Sequence, residues 1–520
     1  MPSRTTHVRR RRVLFPHTRQ CKMSTQLANN AEMANDTHNE SLKDEPKIVE
    51  LSDSDNDNDA ARRIDPDSLP PWLHQATLAL FHDEIETSTS ESRKKTQTDC
   101  LPYLTGASLD DFDLNAHGIP RLRRQAHIDF LHATLSTLPA PYAALDASRP
   151  WLFYWAMAGL STLGQDVARY KARLIATVRP LQNSTGGFGG GQGQLSHCAC
   201  TYATALALAC VGGLEIIDRK AMWHWLGTLK HPSGGFLMAA GAEQDIRGAY
   251  CALTLLTLLN LPLTLPPDSP SRSAGLQTFT DNLGAWISRC QTPDGGLSAS
   301  PTNEPHGAYA FCGLACLSLL SAPHTSIPQS LDVPSLTAWL IYTQTAPEGG
   351  FAGRTNKLVD ACYSHWVGGC FALLQAALPD LPRGHDVWNR EALIRYLLAC
   401  CQAPGKKGGM RDKPSVRADG YHTCYSLAGL SHAVNRYWYD GDGEVEEEGK
   451  AGRLTAAFRW RGERAGEGEL RRWRVEEGDC VECVHPVFVI PFARVEEARV
   501  LFADGGFMDG IEEGMEKLSV

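Results

Sequence analysis

A chain of 520 residues, 43% hydrophobic, is long enough to bury a large core and suits one big globular domain flanked by tails. Its net charge of −9 argues against a nucleic-acid polyanion as the main partner. Sixteen cysteines lie scattered, many inside apolar stretches (Cys251, Cys312, Cys316, Cys370), and no secretory signal precedes them, so reduced, buried thiols in a cytoplasmic protein are expected rather than a disulfide framework.

Residues 1 to about 70 hold few large apolar groups and many Asn, Asp, Ser, Thr, Lys and Arg. Such a segment cannot offset its ordering entropy by burial, so disorder is expected. The run Arg9-Arg10-Arg11-Arg12 fits a nuclear or organellar address, which a start at Met23 instead of Met1 would remove. Ile48-Val49-Glu50-Leu51 before Ser52-Asp53-Ser54-Asp55 resembles a SUMO-interacting motif, an apolar strand beside acidic residues. A solvated acidic linker accounts for the same residues.

Residues 71–437 read as one all-α domain, in which helices separated by glycine turns repeat from about residue 120. Gly-Gly pairs fall at 186–187, 234–235, 295–296, 349–350 and 408–409, at intervals of 48, 61, 54 and 59 residues. An amphipathic helix precedes most pairs, as with Leu336, Trp339, Leu340 and Thr343, and the glycines after it fit a helix-stop signal. A glutamine commonly lies between the two, at Gln182, Gln291, Gln344 and Gln402. A more apolar helix follows each pair and contains a tyrosine: Tyr202, Tyr250, Tyr309, Tyr363 and Tyr425. Two helices per repeat, the second hydrophobic nearly all round, predict outer and inner layers. An α-α barrel (toroid) of helical hairpins around a cavity is the natural closed form; a linear solenoid is the open one. The longest apolar stretch, 249–265, is broken by Thr254, Thr257, Asn260 and Pro262, so no transmembrane segment is expected. Residues 438–478 are charged and read as a low-complexity surface insertion, and 479–520 as a C-terminal segment that returns to the barrel. Cys480-x-x-Cys483 has no partner pair and reads as surface thiols.

Aligning the inner helices on their tyrosines places Arg247, His306, Asp360 and His422 at one position of successive repeats, three residues before the tyrosine. Equivalent positions of a repeat barrel point to equivalent places, so four ionisable groups are expected at one end of the cavity. Asp360 and Cys362 can reach one ion only if Asp360 stands at or before the first helical turn, where aspartate caps well. With His422 they make a three-ligand set that leaves a fourth zinc position open. The alternative is a cap, a buried thiol and a core histidine. Arg354 and Lys357 precede the Asp360 helix and His306 starts the one before; together with helix N-termini these cations suit a diphosphate, although a solvated basic loop would look the same. The GGFGGGQG stretch (186–193) lacks the lysine and Ser/Thr of a Walker loop and reads as a turn.

GRTNKLVDACYSHW (353–366) followed by DGYHTCYSLAGLS (419–431) is similar to the zinc and diphosphate region of protein prenyltransferase β subunits. LDASRPWLFYW (145–155), GGFGGGQGQLSHCACTYA (186–203), DIRGAYCA (245–252), HGAYAFCGLA (306–315) and HPVFVI (485–490) follow the same family in the same order. The resemblance implies an α-α barrel, paired with a helical-repeat α subunit, that transfers farnesyl from farnesyl diphosphate to the cysteine of CaaX proteins. Carried over by position, Asp360, Cys362 and His422 hold Zn2+, and His306, Arg354, Lys357 and Tyr363 bind the diphosphate. Trp155, Arg247, Tyr250 and Trp366 line the isoprenoid cavity, while His197, Glu243 and Arg247 organise the water at the peptide carboxylate. Trp155 matches the bulky residue that shortens the lipid pocket of farnesyltransferases, and Asp412 the aspartate associated there with Mg2+. Ala308, His365 and Gln192 depart from the family's usual glycine, aromatic and proline, which bears on fine substrate preference.

In that reading the zinc makes the peptide thiol a thiolate, which attacks C1 of the allylic diphosphate, and Arg354, Lys357, His306 and Tyr363 stabilise the leaving group. A geranylgeranyltransferase β subunit is the nearest rival. A terpene-cyclase-like barrel would need an acidic DxDD proton donor, which the barrel region lacks, and a non-catalytic barrel would be expected to lose the metal set.

Overall fold

The computed structural model describes residues 68–378, 385–441 and 452–503; the arginine run, Met23 and Ile48–Leu51 lie outside them. The chain divides into two units. Of the first, only 139–146 are described, and they form tight 3-10 turns. The second unit, residues 57–138 and 147–520, holds the paired helices.

After α1 (Ser88–Leu104) the helices come in pairs. The outer members are α2 (Arg124–Thr134), then α4 (Lys171–Val178), α6 (Arg219–Leu229), α8 (Leu283–Arg289), α10 (Val333–Tyr342) and α13 (Arg390–Arg395). The inner members are α3 (Arg149–Thr162), α5 (Cys198–Val211), α7 (Ile246–Leu258), α9 (Gly307–Leu320), the split helix α11 (Tyr363–Trp366) with α12 (Gly368–Gln375), and α14 (Gly420–Val434). Inner helices pack in sequence, and α14 packs back on α3, so the series closes on itself; the open solenoid is excluded. All but one residue of α7 is buried, as a helix surrounded on every side requires. No helix among the described residues is long and apolar enough to cross a membrane.

The glycine pairs do not stop the outer helices. They lie several residues past the helix end, in a turn closed by isolated bridges such as Gln291 with Leu297 and Gln344 with Phe351. Their role is close approach. Gly295 has φ +100°, and a Cβ there would stand 2.2 Å from the Ser335 carbonyl oxygen on the next outer helix. Gly408 meets Ala126 of α2 in the same way, which seals the last repeat against the first. A Gly295→Ala variant should therefore lose roughly 2–4 kcal/mol, read as a lower urea midpoint.

The glutamines bind the same seam. Gln344 accepts from Asn389 N–H (2.9 Å) and donates to Asn389 O (2.8 Å), gripping the start of the next outer helix, and Gln291 treats Asp332 alike. The repeat that lacked a glutamine uses Lys230. Its buried Nζ donates to Gly234 O (2.7 Å) and Asp281 O (2.8 Å) and lies 4.9 Å from the centre of the Phe236 ring. Burial pushes this lysine down to about 7. At the final seam Gln402 Oε1 accepts from Arg123 N–H and meets His127 Nε2 at 2.9 Å, while His127 Nδ1 accepts from Gly409 N–H.

His127 is fully buried, and burial lowers it to about 4. The unfolded chain therefore holds the extra proton between about pH 6.5 and 4. The stability from the neutral ring is complete above that window and is lost as pH falls through it. This ring alone should cost about 2 kcal/mol between pH 7 and pH 5, measurable as a falling urea midpoint.

Residues 452–478 are not a loose surface insertion. β1 (Asn435–Tyr439) pairs antiparallel with β2 (Trp460–Arg464), α15 (Glu467–Arg472) follows, and Trp460 and Trp473 are buried. Arg390 lies between Trp388 and Trp473, with its guanidinium 4.9 and 5.2 Å from the two rings. The charged composition concealed these tryptophan anchors; 442–451 lie outside the described residues. Further along, Glu482 N–H donates to Thr162 O and Glu482 O accepts from Ser431 Oγ (2.7 Å), which puts residue 482 at the C-terminal ends of α3 and α14; Val487 O then accepts from Tyr250 Oη (2.6 Å) of α7, before α16 (Phe492–Leu501). Cys480 is buried there and Cys483 half-buried, so they are not surface thiols; every described cysteine is free, and all except Cys483 are buried.

Candidate active site

At the start of each inner helix after α3 a side chain accepts a backbone N–H: His197, Asp245, His306 and Asp419 cap their helices, and Asp360 does the same in the turn just ahead of α11. The backbone N–H of all five donates to the residue that follows the glycine pair, from Phe188 O to Met410 O. The next N–H crosses to the following repeat, as Gly307 N–H to Gly353 O (2.8 Å) and Ala361 N–H to Asp412 O (3.0 Å). This is the true repeat register. It corrects the alignment on tyrosines: Asp419, not His422, is equivalent to Asp360 and His306, and Arg247 stands two residues past its own cap, Asp245. The tyrosines mislead because they fall on different turns of their helices.

The predicted metal set nevertheless converges. One ligand atom each from Asp360, Cys362 and His422 lie within 4.8 Å of one another. Asp360 precedes its helix and accepts from Cys362 N–H (2.8 Å), which turns both side chains to one side. His422, on the first turn of α14, presents Nε2 at 3.4 Å from Asp360 Oδ1. Asp419 was missed: its Oδ1 caps α14 at His422 N–H (2.8 Å) and its Oδ2 takes Nδ1 of the same residue (2.6 Å). That contact leaves Nε2 as the free ligand nitrogen, the usual arrangement behind a metal-bound imidazole. The spacing Asp-x-x-His at a helix start was the available signal. Burial opposes the Asp360 charge, but His422 and Lys413 outweigh it and hold the carboxyl well below its usual range. Burial, with Asp360 as neighbour, pushes Asp412 up to about 7. Asp412 is paired with Lys413 through Oδ2, and its buried Oδ1 has no hydrogen-bond partner among the described residues. A negative cluster with an unsatisfied carboxylate oxygen fits cations: an Asp/Cys/His donor set for zinc and a carboxylate oxygen for magnesium.

His306 and Tyr363 adjoin this cluster. His306 Nδ1 accepts from Ala308 N–H (3.1 Å), so its proton lies on Nε2, which donates to Tyr363 Oη (3.2 Å). The tyrosine proton is then available to another acceptor. Burial, then Arg354, lowers His306 to about 4, so the ring is neutral at pH 7. Gly353 makes room: a Cβ there would stand 2.2 Å from the Tyr363 ring. Arg354 pairs with Glu304 (2.6 Å), and Lys357 is exposed on the same loop.

Trp155, Trp366 and Tyr250 belong to one aromatic cluster. Tyr421 lies against Trp155 at 5.4 Å and accepts from Trp366 Nε1 (3.2 Å); Tyr425 lies 4.7 Å from Trp366, and Phe311 joins Trp366 to Tyr250. Tyr421, also a neighbour of the Cys362 thiol, gave no signal because the tyrosine register skipped it. Arg247 is fixed by both oxygens of buried Asp245 (2.9 and 2.7 Å), 5.4 Å from the Tyr309 ring centre. His197 caps α5; burial lowers its pKa, exposed Glu243 opposes that shift, and half-buried Arg247 adds to it.

The second unit is thus a closed ring of helix pairs, with three potential metal ligands gathered near the inner-helix N-termini and Arg354 and Lys357 on an adjoining loop. The family described as "Prenyltransferase alpha-alpha toroid domain" matches residues 122–490, and the chain belongs to it. The Pyricularia oryzae protein named "Protein farnesyltransferase subunit beta" is 47% identical over 435 residues, 81% of this chain and 82% of that protein. Its Schizosaccharomyces pombe namesake is 37% identical over 69% of this chain and 87% of its own. Among solved structures, Candida albicans protein geranylgeranyltransferase-I complexed with GGPP matches with a TM-score of 0.54 at 20% identity, over 73% of this chain and 98% of that one; this likeness concerns the fold.

Proposed function

We propose that this chain is the catalytic β subunit of a protein farnesyltransferase, which pairs with an α subunit and transfers farnesyl from farnesyl diphosphate to the cysteine thiol of C-terminal CaaX peptides. The observation that carries the reading is the convergence of Asp360, Cys362 and His422 beside the His306–Tyr363 pair. Asp360, Cys362 and His422 would hold zinc, which would supply a Lewis acid that lowers the pKa of the peptide thiol. Asp412 would hold magnesium, which would supply added charge neutralisation at the diphosphate.

The remaining work belongs to the chain. As the C1–O bond breaks, charge grows on the diphosphate. Tyr363 donates its free proton to a phosphate oxygen, oriented by His306. Lys357 and Arg354, the latter released from Glu304, contribute cationic donors. Trp155, Trp366, Tyr250 and the aromatics between them bury the isoprenoid and exclude water from the allylic carbon. Arg247, fixed by Asp245, works with His197 and Glu243 at the peptide carboxylate. Buried free thiols fit a reducing compartment, the cytoplasm.

Trp155 is the length gauge of the lipid pocket. A Trp155→Thr variant should raise the C20:C15 ratio of kcat/KM by about tenfold or more, measured with the two diphosphates on one peptide. An unchanged ratio would contradict the assignment. Asp419→Asn keeps the helix cap but weakens the hold on His422 Nδ1, and should loosen zinc about 10–100-fold in chelator competition.

A further inference from the structure

Behind the lipid-facing aromatics lie two histidines that the transfer chemistry does not use. His365 of α11 and His432 of α14 are buried, with rings 5.4 Å apart and 21° from parallel, and Nδ1 of the first meets Nε2 of the second at 3.2 Å. One ring donates and the other accepts; burial holds each far below its usual range, His432 at about 3, so both are neutral at pH 7. Their outward nitrogens, His365 Nε2 and His432 Nδ1, have no hydrogen-bond partner among the described residues. His365 stacks on Tyr425 at 5.2 Å and touches Trp366 (4.7 Å) and Phe311 (4.5 Å). His432 is held from the far side: its carbonyl accepts from Arg390 (2.6 Å) and its ring lies 5.5 Å from Tyr437 of β1. Gly369 leaves only the necessary space, since a Cβ there would stand 3.1 Å from His432 Nε2 and 3.3 Å from His365 Nδ1.

Aromatic packing is weakly directional and lets rings slide, whereas a hydrogen bond in a low-dielectric interior is directional and costly to break. We propose that His365 and His432 are positioning residues that fix the planes of Trp366 and Tyr425, tying the isoprenoid wall to the Arg390, β1 and Trp473 assembly behind it. This inference rests on the farnesyl-transfer reading. It also gives residues 435–441 and 452–475 a function that their composition did not suggest, as the brace of the lipid wall.

The test uses the zinc-loaded heterodimer with His365→Phe, His432→Leu and the double variant. KM and kcat are measured for farnesyl diphosphate, together with the C20:C15 ratio of kcat/KM. Each single change strands one more buried imidazole nitrogen and should raise KM about fivefold or more and shift the ratio, with kcat within about twofold. The double change removes the same hydrogen bond and should raise KM no further than either single change, a non-additive result; a return to the wild-type KM would overturn the proposal. Additive effects, or an unmoved ratio, would overturn the proposal. Gly369→Ala, whose methyl presses on His432 Nε2 (3.1 Å), Phe311 (3.2 Å) and His365 Nδ1 (3.3 Å) and shifts them by a few tenths of an ångström, should move KM in the same direction. A wild-type complex inactive with both donors would sink the transferase reading itself, and an active wild type with indifferent variants would sink this inference alone.

Discussion

Replacing His422 with alanine is expected to empty the metal site of the purified complex and to lower kcat/KM by about a thousandfold or more. The expectation follows from the geometry. His422 supplies one of three ligand atoms within 4.8 Å, and a two-ligand Asp/Cys remnant cannot enclose zinc against chelators. Two carboxylates also lose their partner, because Asp360 and Asp419 both face the imidazole. The variant should still fold, since the cap at residue 422 is made to the backbone N–H and survives the change. Metal analysis and turnover should therefore fall together while the thermal midpoint moves little. Loss of turnover with full zinc content would mean that His422 acts in some other way.

The largest stability effect is expected at Arg390. Its side chain is almost fully buried; Nη1 donates to the carbonyls of His432 (2.6 Å), Ala433 (3.0 Å) and Asn435 (3.3 Å), and Nε to Asp386 (2.7 Å). It thereby closes the C-terminal end of α14 and joins it to β1. Arg390→Ala strands those carbonyls, leaves a hole between Trp388 and Trp473, and should cost about 3–5 kcal/mol. Asp386 keeps Arg436 at 2.7 Å, which limits the loss from its own charge. Arg390→Lys retains the charge but not the fork and should recover less than half of the loss. Urea unfolding of the three proteins measures this, and a change under about 1 kcal/mol at Arg390→Ala would contradict the account.

Much of this architecture was legible in the residues alone. The Gly-Gly pairs and glutamines carried the period because both serve backbone contacts between repeats, which admit few substitutes. Lys230 escaped notice since an ammonium can make the same two donations by different chemistry. The inner-helix register was misread for a physical reason: tyrosines can approach one cavity from several turns, whereas caps are tied to a single backbone position. Asp245 and Asp419 were therefore missed, although each fixes a residue that had been found, Arg247 and His422. Asp360 and Cys362 were found because only a position ahead of the helix lets residues two apart share an ion. Between 452 and 478, arginine and glutamate are so frequent that composition suggested an exposed segment. Trp460 and Trp473 anchor it because arginine stems and aromatic faces pack well together.

The most direct test of the central claim is product analysis on one CaaX peptide, incubated with the purified heterodimer, zinc, magnesium and equal amounts of farnesyl and geranylgeranyl diphosphate. The account predicts a thioether adduct carrying the C15 chain, formed with zinc bound and abolished by its removal. A predominantly C20 adduct, or a C15 adduct formed at full rate by zinc-free protein, would contradict it.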